Sequence, residues 1–279
     1  MKKFLTIASL LLLLLLAACG SKEGSSGDKD KAANKESELS EEKLVVGVTA
    51  GPHEQILEKV KEVAEADGLE VELKVFNDYV MPNMALAEEE IDINVYQHKP
   101  YLDQFKKDRG LDLTEVTEVV NFPMGLYSSK VKDLSEIKDG AKIGLPNDPT
   151  NGARALILFE QAGLIKLKED AGVKATLKDI EENKQNLEFI ELEAAQIPRQ
   201  LEELDAAAIN TNFAVEHGFT PAKDAIAIEP KDSPWANVIA VRTGNEDDAA
   251  VKKFVEYYKS DEVKQFIEET FSGSVIAAW

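Results

Sequence analysis

Residues 44–76 read Leu-Val-Val-Gly-Val-Thr-Ala-Gly-Pro-His-Glu-Gln-Ile-Leu-Glu-Lys-Val-Lys-Glu-Val-Ala-Glu-Ala-Asp-Gly-Leu-Glu-Val-Glu-Leu-Lys-Val-Phe. Leu44 to Val48 is an apolar run of strand length. From Pro52 to Ala66 the apolar residues Ile56, Leu57, Val60 and Val63 recur at helical spacing, and Gly68 is placed to stop the helix. Val71 to Phe76 alternates apolar with charged residues, the pattern of a half-buried strand. Strand, helix and strand within about 30 residues make a βαβ unit, so the chain is of the α/β class.

The pattern returns further along. Lys142 to Leu145 reads as a strand, Pro149 to Ala162 as a helix ended by Gly163, and Leu187 to Leu192 as another strand. Ile197 to Leu204 has helical spacing. Ala206 to Ile209, Ala225 to Ile228 and Asn237 to Val241 are short apolar strands. The tail from Asp247 to Phe271 is helical, with Ser260-Asp261 able to cap a second helix and divide it. So many βα units suit two lobes better than one sheet. Asn121-Phe122-Pro123-Met124-Gly125 and Asp232-Ser233-Pro234-Trp235 are the segments expected to cross between them. On that division one lobe comprises 44–122 plus 236–279, and the other 123–235.

Toward the N-terminus, Lys2 and Lys3 precede a run from Phe4 through a block of leucines to Leu16, followed by Ala17-Ala18-Cys19. A basic start, a short apolar core and small residues at a cut site read as a secretory signal over 1–18. The apolar stretch is short for a membrane span. Cys19 is the only cysteine in the chain, so no internal disulfide forms. Directly after Leu-Ala-Ala it is the expected acylation site, and acyl chains would hold the protein at the extracytoplasmic face of a cell membrane. From Gly20 to Lys43 the composition is Gly, Ser and mixed charge without an aromatic, which cannot order itself by burial and reads as a tether.

The leader takes its two lysines with it, which moves the net charge from −20 to −22. Such a charge repels phosphate backbones and excludes nucleic acid as a partner. Signatures of catalysis are scarce. There is no G-x-G-x-x-G, P-loop or G-x-S-x-G motif. Ser135-Glu136-Ile137-Lys138 matches S-x-x-K without its companion motifs, and Ser135 reads as a helix cap. His53, His98 and His217 are far apart in sequence and offer no metal-ligand spacing. No enzyme activity, cofactor or metal is expected.

Three clusters are candidates for binding. In Pro146-Asn147-Asp148-Pro149-Thr150-Asn151-Gly152-Ala153-Arg154, Asp148 suits an N-cap and Pro149 the first helical turn. Asn151 and Arg154 then share a helix face, and Arg154 offers a planar fork for a carboxylate beside a positive helix end. The same residues also read as a capped helix with Arg154 on a solvated face. The second cluster contains Tyr96, His98 and Tyr101, with Tyr79 upstream in Asp78-Tyr79-Val80-Met81-Pro82-Asn83. These rings suit an apolar or sulfur-bearing side chain, or ordinary core packing. The third is Ile209-Asn210-Thr211-Asn212-Phe213, where Asn210 at a strand end can accept from an ammonium or form an Asx turn.

With these segments in view the chain resembles the NlpA/MetQ family of methionine-binding lipoproteins. The resemblance rests on 76–83, Tyr96-Gln97-His98-Lys99-Pro100-Tyr101-Leu102, Pro146 to Asn151, Arg154, Ala208 to Asn212, Pro221-Ala222-Lys223-Asp224 and Gly273 to Trp279. It implies a two-lobed periplasmic-binding-protein fold with the ligand between the lobes. It implies L-methionine, or a related small zwitterion, as ligand and the permease and ATPase subunits of an ABC importer as partners. In that reading Arg154 clamps the α-carboxylate. Asn151 and Asn210 hold the backbone ends, with Thr150 and Asn212 nearby. Tyr79, Tyr96, His98 and Tyr101 line the side-chain pocket. A methionine-containing dipeptide is the alternative ligand, and an adhesive surface lipoprotein without transport is the alternative role.

Overall fold

The computed structural model describes residues 39–231 and 233–279. The signal, Cys19, most of the tether and Asp232 lie outside the described residues. In chain order the first part runs β1 (Lys43–Thr49), α1 (Pro52–Ala66), β2 (Glu70–Phe76), α2 (Met81–Ala87), β3 (Ile93–His98), α3 (Lys99–Arg109) and β4 (Leu113–Asn121). The middle holds β5 (Gly125–Tyr127), β6 (Lys142–Pro146), α4 (Pro149–Gln161), β7 (Lys166–Leu167), β8 (Ile180–Glu182) and β9 (Glu188–Leu192). It continues through α5 (Ile197–Gln200), β10 (Ala206–Ile209), α6 (Thr211–Glu216), α7 (Pro221–Asp224) and β11 (Ala227–Ile228). The chain ends with β12 (Asn237–Arg242), α8 (Ala249–Tyr258), α9 (Asp261–Phe271) and β13 (Ile276–Ala277).

The strands sort into a six-stranded sheet ordered β13-β4-β12-β3-β1-β2, a five-stranded sheet ordered β11-β5-β10-β6-β9, and the β7–β8 pair. In the larger sheet β1 runs parallel to β2 and β3, while β12 is antiparallel to both β3 and β4. In the smaller one β6 is parallel to β9 and β10, and β5 is antiparallel to β10 and β11. The chain passes from the larger sheet to the smaller over residues 122–124 and returns over 229–236. Asn121 ties these passages together, its side-chain amide donating to the carbonyls of Lys231 (3.1 Å) and Ser233 (3.2 Å).

Period-two alternation explains how the larger sheet carries helices on both faces. From β12, Ile239 and Val241 join α1, α8 and α9 in one core, while Val238 and Ala240 meet α2 and α3 in another. From β1, Leu44, Val46 and Val48 belong to the first core. Gly47 faces the other way, where a Cβ would stand 2.4 Å from Ile91 Cδ1, so any larger residue would require the Ile91 side chain to move. In the smaller sheet Ala206 and Ala208 pack on one side, Ala207 and Ile209 on the other.

The helical tail is divided as expected, with the Ser260 hydroxyl accepting from the Val263 N–H at 3.3 Å. Ile197 to Leu204 is shorter than its spacing suggested, since α5 stops at Gln200. Ala225 to Ile228 reduces to the two residues of β11. Ser135 is not a cap. Asp133 caps the short turn and receives both the amide and the hydroxyl of Ser135 (2.9 and 2.6 Å).

Candidate functional site

The site forms where the carboxyl ends of strands from both sheets converge, the position open α/β sheets reserve for ligands. β3 ends in His98 and β1 is followed by His53. β6 leads into α4 and β10 leads into Asn210. Between them lies a cavity of about 330 Å³, its open mouth included, lined by residues in or after strands of the larger sheet, by residues that follow β6 and β10 of the smaller, and by Phe122 of the first passage.

One wall is aromatic. Tyr79 stands in the loop between β2 and α2, and its ring lies 5.9 Å from those of both Tyr96 and Tyr101. The Tyr96 and Tyr101 hydroxyls both donate to the Tyr79 backbone carbonyl, at 2.8 and 3.0 Å. That carbonyl thus ties the Tyr96 and Tyr101 rings to each other and to the Tyr79 backbone. Behind them Asn83, Asn94 and Gln97 satisfy each other in a buried amide network, with Asn83 and Gln97 exchanging two bonds of 2.7 Å. Burial drives the Tyr79, Tyr96 and Tyr101 hydroxyls well above the usual phenol range, so they stay protonated.

His98 closes this wall. As N-cap of α3 its Nδ1 accepts from the Tyr101 N–H at 3.1 Å. A backbone N–H can only donate, so the neutral ring carries its proton on Nε2 and donates it to Asn151 Oδ1 at 3.1 Å. Burial first, and then the Arg154 charge, push the His98 pKa down to about 3. Burial does the same to His53, again to about 3. Both rings are neutral at physiological pH.

The opposite wall is polar. Asp148 caps α4, accepting from the Asn151 N–H at 2.9 Å, with Pro149 in the first turn. Arg154, 2% exposed, reaches the cavity from the same helix. It is not on a solvated face. Its Nε donates to Glu229 Oε1 (2.8 Å) and its Nη2 to Glu229 Oε2 (2.6 Å) and to the Phe122 carbonyl (2.7 Å). Two buried partners hold the guanidinium in place, and removing one member of the Arg154–Glu229 pair would leave the other charge unpaired at a cost of about 3–5 kcal/mol.

The sequence-derived site residues do not all serve alike. Asn151 Oδ1 receives both His98 Nε2 and Asn210 Nδ2 (2.9 Å), which occupies its two lone pairs. Asn151 is therefore a bridge between the walls. Thr150 donates its hydroxyl to Asp148 (3.0 Å) and borders a neighbouring groove, outside the cavity. The helix mouth holds no free anion site, because the Asp148 carboxylate fills it. Asn210 forms no Asx turn, since its side chain does not cap α6. Its Oδ1 is buried and has no hydrogen-bond partner, and the same holds for Asn212 Nδ2. Asn212 Oδ1 accepts from the Tyr79 hydroxyl at 2.5 Å, and Phe213 lies 4.8 Å from the Tyr79 ring, so these contacts also cross the cleft.

Several contributors escaped the sequence reading. Glu229, Asn237 and Trp235 are buried, and Trp235 lies 5.1 Å from the His98 ring and 5.5 Å from the Arg154 guanidinium. A lone acid before Pro230 and a tryptophan in a passage segment were the only local signals.

A family model described as NlpA lipoprotein matches residues 44–279. The chain belongs to the NlpA lipoprotein family. It is 44% identical over 281 residues to a protein named D-methionine-binding lipoprotein MetQ from Salmonella typhimurium, covering 100% of this chain and 98% of that one. A crystal structure of the methionine-binding protein MetQ superposes with a TM-score of 0.84 at 46% identity, covering 86% of this chain and 99% of that one. A Burkholderia cenocepacia nutrient-binding protein, solved bound to methionine, gives 0.82 at 46% identity and covers 85% and 100%. This NlpA-family chain thus has their two-lobed binding fold. Its named relatives are lipoproteins and binding proteins rather than enzymes. Among the described residues of this family member, no helix is long and apolar enough to cross a membrane and no cluster of His, Cys, Asp or Glu could hold a metal ion.

Proposed function

We propose that this protein is an extracytoplasmic solute receptor that captures L-methionine between its lobes and delivers it to the permease and ATPase subunits of an ABC importer. Acyl chains on Cys19 would keep it at the membrane. Taking the two sheets as the lobes, 44–122 plus 236–279 and 123–235, the passages 122–124 and 229–236 are the hinge.

The observation that carries the reading is the pair of partnerless buried atoms, Asn210 Oδ1 and Asn212 Nδ2, beside Arg154. A buried acceptor and a buried donor left open cost about 1–3 kcal/mol each, which a ligand with matching groups recovers. An ammonium donates to Asn210 Oδ1. A carboxylate accepts from Asn212 Nδ2 and from the Arg154 edge that Glu229 leaves open. The thioether then lies among Tyr79, Tyr96 and Tyr101, where sulfur–ring contacts are favourable. Nothing in this arrangement activates a nucleophile, so the ligand leaves unchanged.

A thermal-shift screen tests the reading. A ligand that binds only the folded state raises the melting temperature. L-methionine should raise it, and glycine or glutamate should not. If methionyl dipeptides raise it and methionine does not, the ligand is a dipeptide. If no amino acid or peptide moves it, the adhesive-lipoprotein role stands instead.

A further inference from the structure

We propose that Glu229 is the specificity-determining residue that makes the site select zwitterions and reject simple carboxylate anions. It does so by cancelling the charge of Arg154 while turning one edge of the guanidinium toward the ligand. This inference rests on the proposed function and adds to it the basis of ligand choice.

The geometry gives Glu229 both tasks. Its carboxylate takes the Nε and Nη2 of Arg154 at 2.8 and 2.6 Å, and the Phe122 carbonyl takes Nη2 again at 2.7 Å. Among the described residues Nη1 makes no hydrogen bond, so that edge remains for the cavity that Arg154 lines. Glu229 is itself held in place. Its Oε2 accepts from the Met124 N–H at 2.7 Å, and its own N–H donates to the Met124 carbonyl at 2.9 Å. One carboxylate thereby fixes the clamp and joins the two passages between the lobes.

The charge balance follows from the lining. Among the residues that line the cavity, Arg154 alone carries a formal charge, because His53 and His98 are neutral. Buried Glu229 offsets it at contact distance. A zwitterion enters this balanced site without leaving net charge behind: its carboxylate meets Nη1 and its ammonium meets Asn210 Oδ1. A monoanion of the same shape would meet a guanidinium already paired. It would leave one negative charge uncompensated in a dry cleft and leave Asn210 Oδ1 unfilled.

The probes are L-methionine and 4-(methylthio)butanoate, which differ only in the ammonium. Both are titrated calorimetrically into the full-length protein and into Glu229→Gln. The native protein should favour methionine by about a hundredfold or more, because like charges brought together at a desolvated surface are strongly disfavoured. In Glu229→Gln the guanidinium is uncompensated, and the preference should shrink by about tenfold or more. Glutamine also replaces one acceptor oxygen by an N–H₂, which meets a donor in either orientation, the Arg154 Nε or the Met124 N–H, so Glu229→Asp is the second variant. It keeps the charge but shortens the reach, and should weaken methionine binding while retaining the preference. Comparable binding of both probes to the native protein would overturn the inference without any variant. So would an unchanged preference in a folded Glu229→Gln. Failure of the native protein to bind methionine at all would instead overturn the proposed function.

Discussion

The two walls of the cleft satisfy their polar groups in opposite ways. On the aromatic wall, the Tyr96 and Tyr101 hydroxyls end on one backbone carbonyl and the amides behind them pair with each other. On the polar wall, Asn210 and Asn212 each keep an atom without a partner, and Arg154 keeps an edge. A wall with closed hydrogen bonds offers shape and polarisable surface. A wall with open ones demands particular donors and acceptors. On the proposed function the difference would divide recognition: the polar wall would read the amino-acid backbone, and the aromatic wall would grip the side chain.

Arg154→Ala should break this division most severely. It deletes the clamp and leaves Glu229 buried without its partner, and methionine binding should weaken by about 2–5 kcal/mol in a calorimetric titration. A near-neutral result would move the carboxylate contact to another residue. Next in size is the acid response. His53 and His98 have folded pKa values near 3, below the ordinary 6.5, so the unfolded chain takes up protons first. Their contribution is complete above pH 6.5 and is lost as pH falls toward 3. The melting temperature should fall across that window, and His53→Gln should flatten the fall; an unchanged slope would show that this ring does not titrate as argued. Binding measured between pH 7 and 8 should stay flat.

The smallest effects belong to the aromatic wall. Tyr79→Phe removes the donor to Asn212 across the cleft and should cost about 0.5–1.5 kcal/mol of affinity. Tyr101→Phe loses only a bond within one wall and should cost less. If Tyr101→Phe matched Arg154→Ala, the division between walls would be wrong.

Much of this was legible before the fold was known, where a segment repeats its period often enough. The βαβ unit at β1–α1–β2 and the Asp148-Pro149 start of α4 depend on neighbours in sequence. Leu113-Thr-Glu-Val-Thr-Glu-Val-Val-Asn gave no clean alternation. β4 exists because β12 and β13 pair along its two edges. The site divides the same way. Arg154, His98 and the tyrosines stood in recognisable stretches, but their roles depended on distant partners. Glu229 is 75 residues from Arg154. The Tyr79 contribution is partly a carbonyl, which no side-chain pattern reveals. Asn151 looked like a ligand contact from its place on the helix. It does line the cavity, but the His98 and Asn210 groups that take its Oδ1 lie 53 and 59 residues away, beyond any local pattern.

The central claim is that a closed cleft holds a zwitterion between these two unlike walls. The direct measurement is a calorimetric titration of L-methionine into protein stripped of bound ligand by unfolding and refolding. One site of micromolar or tighter affinity agrees with the claim. Protein that has regained its fold and releases no heat with methionine or a methionyl dipeptide contradicts it.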